Sequence, residues 1–408
     1  MRSLRIMPVA FSLACAVAGV SPLSGQTTSE CQPLETRPST APDYQPDFQG
    51  QTRVCGVRSD VAFDVVVLAR GLTSPWSVEP LRDGSFLVSE RPGGLRVVSA
   101  TGQVGPQLAG VPAAQPGQYS CMCGVALSPR FDTDRTIYWA YAEPRDGGSG
   151  LSVARGVLSA DRTRLDQVRV ILRTRPTWSN NTNYGGRLAF GPDGFLYVTV
   201  SDRLDPAIRV QAQTLDSHIG KLLRITTDGA PAAGNPFIGR AGALPEIWSL
   251  GHRSVQALSF DAQGRLWEIE HGPRGGDELN LIRPGKNYGW PLVTFGIDYN
   301  GSRFPDALPS RPGFEPPVYY WNPVIAPSGS EFYTGSAFPA WRGSLFVGGL
   351  ASRRLVRLVI RNDRVVGEEH LLADRGQRIR DVRQGPDGLL YVVTDNPNGE
   401  LWRLTPRP

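Results

Sequence analysis

A short unit, in which a glycine-containing turn precedes an apolar strand, recurs six times and constrains the fold more than any other feature. The clearest copies are "GPDGFLYVTVSD" and "GPDGLLYVVTD", and the full set covers residues 81–90, 131–143, 191–202, 260–272, 340–350 and 385–395. Each unit is too small to bury its own apolar face, so neighbouring units must pack on one another. The uneven spacing of the units indicates loops of different length between them.

Strand units arranged radially form a β-propeller, in which only short and protected strand edges remain. Six blades of about four strands need roughly 240 core residues, and the 46 glycines and 35 prolines suit many short strands joined by turns. We therefore predict an all-β, six-bladed propeller over residues 61–408, preceded by a Pro-rich extended arm over 26–60. A pair of β-sandwiches is the alternative, although its strands would not need this recurring unit. One segment, 211–225, suits either a turn or two of helix or a strand.

The N-terminus is typical of a secretory signal peptide. Arg2 and Arg5 precede an apolar stretch and then small residues, which predicts a signal peptide over 1–25 with cleavage between residues 20 and 27. A lipoprotein signal ending at Cys15 is the alternative, but Ser12 stands where an aliphatic residue is expected. No other stretch approaches about 20 apolar residues, so we expect a periplasmic or secreted protein without a membrane span.

The net charge of +5 is spread thinly, without a run of five like-signed residues, so a nucleic-acid-binding tail is not expected. Four cysteines remain after the signal peptide, and an even number in an exported chain indicates disulfides. We expect Cys31 to pair with Cys55. For Cys121 and Cys123 in "CMC" we expect structural cysteines; a redox or metal pair is the alternative, although no other Cys or His lies nearby in sequence to complete a zinc site.

The segment "EIEHGPRGGDELNLIRPGKNYGWP" (268–291) is the densest in polar groups. Its glycines allow a close backbone approach to a ligand. Backbone carbonyls and the carboxylates of Asp277 and Glu278 are oxygen ligands of the kind that Ca²⁺ selects. The alternative is a long turn in which these carboxylates are solvated or cap the chain.

Two basic segments also attract attention. His252 and Arg253 precede a strand and form either a structural or a catalytic pair. Arg378 and Arg380 share one face of a strand because they are two residues apart. Two guanidinium groups on one face repel each other unless an anion lies between them, so this pair indicates a carboxylate or phosphate site. An exposed strand face is the alternative.

These segments together resemble the soluble PQQ-dependent aldose sugar dehydrogenases, the glucose/sorbosone dehydrogenase family. The resemblance spans about 65–405. It rests on long motifs: "GLTSPWSVEPLRDGSFLVSERPGGLRVV", "PEIWSLGHR", "EHGPRGGDELNLIRPGKNYGWP", "APSG" and "RIRDVRQGPDGLLYVVTD". It implies a six-bladed propeller that holds pyrroloquinoline quinone (PQQ) and Ca²⁺ and oxidises an aldose by hydride transfer to the quinone.

The resemblance also implies roles for single residues. A calcium ion that bridges to the quinone would contact the carbonyls of Gly272 and Pro273. A second calcium site would involve Glu278 and the Tyr288 carbonyl. The cofactor carboxylates would meet Arg253, Arg378 and Arg380, while Gln118 would lie near the sugar and Asp277 would be a pocket carboxylate.

The chain departs from the family pattern at the catalytic base. The family histidine occupies the first position of "H-x-x-G-R-L", and the matching residue here is Asn183. An asparagine side chain does not take up a proton at neutral pH. Ser254 replaces a cofactor-binding asparagine, Ala351 replaces a lysine whose space Arg353 would have to reach, and the turn before Cys121 is one residue longer.

Three functions remain open on the sequence alone. The first is a PQQ-dependent aldose dehydrogenase in which His271, Asp277 or water replaces the missing base. The second is a propeller that binds a sugar, a quinone or a protein without catalysis. The third is an enzyme that uses its calcium for another reaction, such as lactone hydrolysis.

Overall fold

A computed structural model describes residues 31–117 and 121–407, whose regular structure is almost entirely β. The strands in chain order are β1 (Phe63–Leu72), β2 (Pro75–Pro80), β3 (Phe86–Glu90), β4 (Leu95–Val98), β5 (Val104–Gln107), β6 (Met122–Leu127), β7 (Thr136–Arg145), β8 (Gly148–Leu158), β9 (Leu165–Arg173), β10 (Gly185–Phe190), β11 (Leu196–Val200), β12 (Lys221–Ile225), β13 (Ile247–Leu250), β14 (Val255–Phe260), β15 (Leu266–Glu270), β16 (Asp277–Leu281), β17 (Tyr319–Trp321), β18 (Pro327–Phe332), β19 (Leu345–Gly349), β20 (Arg354–Arg361), β21 (Arg364–Leu371), β22 (Ile379–Gln384), β23 (Leu390–Thr394) and β24 (Gly399–Pro406).

The helical elements are short. They are the α-helices α1 (Phe131–Asp134) and α2 (Pro206–Arg209) and the 3₁₀ turns Val210–Gln213, Pro339–Trp341 and Ala373–Arg375. Over residues 31–117 and 121–407, no helix is long and apolar enough to cross a membrane.

The strands form six antiparallel sheets of four strands each. Five sheets contain consecutive strands, namely β2–β5, β6–β9, β10–β13, β14–β17 and β18–β21, and the sixth has the order β1-β24-β23-β22. The first strands of successive sheets, β2, β6, β10, β14, β18 and β22, pack side by side in a closed ring. The sheets are therefore the blades of a propeller, and the predicted six-bladed, all-β fold is confirmed.

The recurring sequence unit marks one position in every blade. Its apolar strand is the second strand, represented by β3, β7, β11, β15, β19 and β23, and its turn joins that strand to the first one. Every residue is buried in β3, β11, β15, β19 and β23. A strand covered on both faces is a mostly apolar run, which explains why the unit was visible in the sequence.

The ambiguous segment 211–225 contains both kinds of structure. Val210–Gln213 forms a 3₁₀ turn, and Lys221–Ile225 forms the strand β12. The chain closes the ring by pairing β1 with β24, so that Phe63 lies opposite Pro406 and Leu72 opposite Gly399. Strand β1 thus becomes the outermost strand of the sixth blade.

Residues 32–62 form no strand and lie against the outer parts of the fourth and fifth blades. Gln51 donates from Nε2 to the Pro317 carbonyl at 2.9 Å, and Thr40 donates from its backbone nitrogen to Asn322 Oδ1 at 2.9 Å. The signal peptide over 1–25 lies outside the described residues. That segment, the boundaries of the arm and the pairing of Cys31 with Cys55 stay predictions.

The centre of the ring is held by a buried ion pair. Arg187, on β10, is 1% exposed, and its Nη1 lies 3.1 Å from Oδ2 of Asp381 on β22. The same guanidinium donates to the Gln256 carbonyl at 2.8 Å and to Ser77 Oγ at 3.3 Å, and it lies 4.4 Å from the ring centre of Trp76. One side chain therefore connects strands of four different blades.

We predict that Asp381→Asn destabilises the protein by about 3–5 kcal/mol, because it leaves the buried charge of Arg187 without its counter-ion. The midpoint of urea-induced unfolding measures this loss. Asp64→Asn is the control, since Asp64 pairs with Arg407 at the surface and its removal should move the midpoint little. Equal midpoints for Asp381→Asn and the unaltered protein would contradict the role given to this pair.

Candidate cofactor and substrate pocket

A cavity of about 230 Å³ lies where the first strands of the blades begin. All six blades contribute to its wall. One residue from each blade, in chain order, is Trp76, Cys123, Asn183, His271, Leu350 and Arg380. A second cavity, of about 290 Å³, is lined by residues at the other ends of the same strands, including Glu79, Glu331 and Arg383. None of the residues predicted to bind cofactor or substrate lines this second cavity, so the first one is the candidate site.

Asn183 lies on the loop before β10, at the wall of the cavity, with a left-handed backbone (φ 52°). Its Nδ2 donates to Asp202 Oδ1 at 2.7 Å, and its Oδ1 accepts a hydrogen bond from Ser254 Oγ at 2.6 Å. A carboxylate only accepts hydrogen bonds, so the amide nitrogen must face Asp202. The side chain is therefore fixed on both sides, and Ser254 lies against Asn183.

Asp202 is the partner that the sequence did not single out. It is completely buried, and besides Asn183 it accepts hydrogen bonds from the Leu204 backbone nitrogen at 2.8 Å and from Trp290 Nε1 at 3.0 Å. Arg203 supports the same loop by donating to the Thr182 carbonyl at 2.9 Å. A carboxylate behind the residue at position 183 can orient a hydrogen-bonding side chain there.

The two cysteines of "CMC" are bonded to each other in a disulfide, and both line the cavity. The two cysteines that we expected to be structural therefore bridge positions only two residues apart. A Cβ atom on Gly186 would lie 2.8 Å from Cys123 Cβ and 3.0 Å from its Sγ. Glycine at position 186 thus allows the "GGRL" segment to pack directly on the disulfide.

Arg378 and Arg380 do have an anion between them, and it belongs to the protein. Asp395 accepts from Arg378 Nε at 2.7 Å and from Arg380 Nη2 at 2.8 Å. Burial alone would raise the pKa of Asp395, but the two guanidinium groups outweigh burial and lower it to about 2. Arg380 lines the cavity and is 6% exposed, whereas the Arg378 side chain is 42% exposed.

Arg253 contacts the loop that was predicted to hold calcium. Its Nη1 donates to the carbonyls of His271 at 2.9 Å and of Gly272 at 2.8 Å, while its buried Nε has no hydrogen-bond partner among the described residues. Two carbonyl oxygens lie close to Gly272. A Cβ atom at this position would lie 2.2 Å from the Gly276 oxygen and 2.3 Å from the Gly275 oxygen. Gly272 and the adjacent Pro273 thus lie in oxygen-rich surroundings.

His271 and Asp277 differ sharply in their environments. Burial lowers the pKa of His271 to about 3, with the charges of Arg253, Arg380 and Arg378 acting in the same direction. The His271 Nε2 lies 2.6 Å from the Pro327 carbonyl, so this nitrogen carries the proton of a neutral imidazole. Burial raises the pKa of Asp277 to about 7.

The oxygens of Asp277 are occupied by the backbone. Oδ1 accepts from the Gly272 nitrogen at 2.9 Å, and Oδ2 accepts from the nitrogens of Ile325 and Ala326 at 2.8 Å each. Asp277 therefore connects the loop after β15 to the segment before β18. Its geometry is that of a residue that positions a loop.

The remaining predicted residues lie elsewhere or outside the description. Glu278 is on β16 opposite Glu270, in a buried cluster of carboxylates, and Tyr288 is buried with its ring stacked on His252 at 4.9 Å. Neither residue lines the cavity. Gln118 lies outside the described residues. Every role predicted for a single residue stays a prediction.

The sequence analysis missed several residues of the cavity. Trp76, Arg91 and Gln256 line it, and Asp202 and Asp395 hold side chains of its wall. Asp395 had a usable signal, because two arginines on one strand face require an anion. Asp202 had none, since its partner Asn183 is 19 residues away along the chain.

Known proteins are similar to this chain in sequence. The sequence profile described as Glucose / Sorbosone dehydrogenase matches residues 72–403. The chain is 40% identical to "Aldose sugar dehydrogenase YliI" of Escherichia coli (strain K12) over 84% of this chain and 93% of that protein.

Solved structures are also similar. The apo-form of the soluble aldose sugar dehydrogenase from Escherichia coli matches with a TM-score of 0.81 and 40% identity, over 85% of this chain and all of that one. The PQQ-bound aldose sugar dehydrogenase from Streptomyces coelicolor matches with a TM-score of 0.70 and 30% identity, over 86% of this chain and 100% of that one. With a profile that covers most of the chain and a relative 40% identical to it, this protein belongs to the glucose/sorbosone dehydrogenase family.

Proposed function

We propose that this protein is an exported sugar dehydrogenase that binds PQQ with Ca²⁺ and oxidises an aldose to its lactone. The observation that carries the proposal is the convergence of Arg380, His271 and Asn183 on one cavity, with Arg253 directly behind His271. The Streptomyces relative, with PQQ bound, supports the choice of cofactor. The substrate would be a small-molecule aldose.

The residues of the cavity fit an aromatic quinone that carries carboxylates. Arg380 and Arg91 present cationic groups at the wall, and Trp76 supplies an aromatic surface. Arg253 has a buried Nε without a partner among the described residues. A guanidinium group offers forked donors that match a carboxylate, so these arginines would hold the acidic groups of the cofactor.

The loop after β15 fits a hard cation. Ca²⁺ takes several oxygen ligands, including backbone carbonyls, and the carbonyls of Gly272 and Pro273 lie in the oxygen-rich turn that Asp277 holds in place. When bound, PQQ accepts the hydride and calcium polarises its carbonyl. The protein's own contribution is to bind and orient the sugar and to remove the proton from its hydroxyl group.

Removal of that proton is the weak point of this site. Asn183 forms hydrogen bonds but does not take up a proton at neutral pH. His271 has a pKa of about 3, far below the operating range of a useful base. Asp277 has a pKa of about 7, but backbone donors occupy its oxygens. We therefore propose that water takes the proton and that oxidation is slow compared with a site that contains histidine.

A second candidate function follows from the same residue. With Asn183 fixed between Asp202 and Ser254, the cavity has the donors and acceptors of a binding site without a strong base. A propeller that binds a sugar or a quinone without oxidising it is therefore the alternative.

Export is supported by two observations. The N-terminal segment has the pattern of a signal peptide. Cys121 and Cys123 form a disulfide, and disulfides persist mainly in oxidising compartments such as the periplasm or the cell exterior.

We predict that the protein expressed from its full sequence loses its N-terminal segment. Mass spectrometry of the protein recovered from the periplasm or medium should place the new N-terminus between residues 20 and 27. Retention of Met1 in a protein found inside the cell would refute export.

We predict that apoprotein mixed with Ca²⁺ and PQQ changes the absorption spectrum of the quinone, and that added aldose then reduces it slowly. Arg380→Gln should weaken binding, because it removes a donor from the cavity wall. A spectrum identical to that of free PQQ would eliminate the proposed cofactor. A bound quinone that no aldose reduces would favour the non-catalytic alternative.

We predict that Asn183→His raises the rate of aldose oxidation by about 10²–10⁴-fold, the usual contribution of a positioned general base. The rate of the variant should rise with pH as the imidazole loses its proton, because only the neutral ring accepts one. Steady-state kinetics with a dye acceptor measures both effects.

Two further variants control this experiment. Asn183→Gln retains the amide chemistry and should bring no gain. Adding Asp202→Asn to Asn183→His should reduce the gain, because Asp202 would orient the imidazole. If PQQ binds and Asn183→His remains as slow as the unaltered protein, the role assigned to position 183 is wrong.

A further inference from the structure

The disulfide between Cys121 and Cys123 is a feature that the function proposed above does not use. Cys123 lies on β6, the first strand of the second blade, and Cys121 precedes that strand by one residue. Both cysteines line the candidate cavity, together with Asn183, Tyr184 and Gly185. The bridge is therefore part of the wall of the cavity in which a ligand would bind.

Behind the bridge, the chain leaves no free space. A Cβ atom on Gly186 would lie 3.0 Å from Cys123 Sγ, and one on Gly124 would lie 2.6 Å from the Gly186 oxygen. Strands β6 and β10 are thus in direct backbone contact beside the bridge. Ser89 Oγ donates to the Cys123 carbonyl at 2.6 Å and fixes the same turn to the first blade. The open side of the bridge is the cavity.

The cavity also controls access to the sulfur atoms. Cys121 is 6% exposed and Cys123 is 1% exposed, so bulk solvent reaches little of either residue. A small molecule that enters the cavity would meet Cys121 first, because Cys121 is the more exposed of the two. Any reagent that reacts with the folded bridge must therefore pass through the candidate site.

Arginine side chains make this cavity favourable to thiolates. Arg91 and Arg380 line it. Asp395 balances the charge of Arg380, whereas Arg91 forms no ion pair within residues 31–117 and 121–407. The thiolate, and not the thiol, is the species that attacks a disulfide. Positive charge at the wall would attract an anionic thiol and stabilise its thiolate form.

We propose that the bridge between Cys121 and Cys123 is a thiol–disulfide exchange site that small anionic thiols open by entering the cavity. The first thiolate attacks Cys121 Sγ and forms a mixed disulfide, and Cys123 leaves as a thiolate. A second thiolate attacks the external sulfur of the mixed disulfide, and Cys121 leaves. The two external thiols leave as their own disulfide, so that two electrons and two protons pass to the cysteines.

Opening the bridge would change the wall of the cavity. An S–S bond measures about 2.05 Å, whereas unbonded heavy atoms lie about 3.5–4.0 Å apart. The two sulfur atoms must therefore separate, and Cys123 cannot move towards Gly186. Either the cysteines enter the cavity or the segment with Asn183 and Arg187 moves. A cofactor would then bind less tightly, and this last consequence rests on the proposed function.

The experiment compares two thiols of opposite charge on the full exported chain, with its disulfides intact and at low ionic strength. Mercaptoethanesulfonate is the anionic thiol and cysteamine the cationic one. Iodoacetamide traps the free cysteines, and peptide mass spectrometry follows Cys121 and Cys123 over time. Per thiolate, the anionic thiol should open the bridge at least about 10-fold faster, because a charged cavity raises encounter rates by this order. Salt should reduce the difference.

Two results of this comparison would overturn the proposal. One is an equal rate per thiolate for the two reagents. The other is a bridge that opens only after the protein has been unfolded in urea, because the cavity would then give no access to the sulfur atoms.

Matched variants test the role of the cavity charge. Arg91→Gln should lower the preference for the anionic thiol. Arg82→Gln alters a surface arginine of the same blade, paired with Asp132, and should keep the preference. If the two variants behave alike, the cavity is not the path of the reagent and the proposal fails. The double variant Cys121→Ser, Cys123→Ser shows how much thiol is released from elsewhere in the chain.

Hydrogen exchange tests the link between the bridge and the site without any cofactor. In the reduced protein, the backbone amides of residues 185–188 should exchange faster than in the oxidised protein. Strand β20, in the fifth blade, is the internal control and should not change. Equal exchange over 185–188 in both forms would refute the mechanical link.

PQQ in its quinol form, which a thiol does not reduce further, supplies the last test. With Ca²⁺ and without oxygen, the quinol should bind the reduced protein at least about 10-fold more weakly than the oxidised protein, a usual size for coupling between two events. Bound quinol should also slow the opening of the bridge, because it covers Cys121. A bound quinol that leaves the rate of opening unchanged would overturn the proposal. A quinol that never binds would contradict only the proposed function, since the thiol and exchange tests need no cofactor.

Discussion

The buried charge of Arg187 is the interaction on which the rest of the structure depends. Its guanidinium group meets Asp381, Ser77 and Gln256, so the first strands of four blades are held at fixed distances from one another. Asn183 precedes it by four residues in the same "NYGGRL" segment. The segment thus contains both the residue that holds the ring together and a residue that lines the candidate cavity. A shift of the ring would displace the site with it.

The fold was predictable because the second strand of each blade is buried on both faces. Such a strand is mostly apolar and follows a recognisable turn, so six copies revealed six blades. The first, third and fourth strands carry no such signature. Strand β5, for example, consists of Val104–Gln107 with no buried residue. The sequence of segment 211–225 likewise did not distinguish a helical turn from a strand. The structure contains both, a 3₁₀ turn and β12.

The site was predictable where chemistry lies within one segment and unpredictable where partners come from distant segments. The family resemblance directed attention to Asn183, Arg253 and Arg380. It did not identify Asp202 or Asp395, whose carboxylates meet these segments only in the folded chain. The carboxylates of Glu268 and Glu270 were read as part of a strand, although acidic residues on alternate positions of a buried strand indicate a polar cluster.

The closure of the ring through β1 and β24 has a consequence for assembly. Five blades are made from strands that follow one another along the chain, so each can form from local contacts. The sixth joins Phe63 to Pro406 and cannot form before β24 has been synthesised. Until then, β1 exposes an unpaired edge, and such edges recruit strands from other molecules. Long-range pairing of this kind also slows folding. The species most exposed to such association is therefore the chain in which the other five blades have formed and β1 has not yet paired with β24.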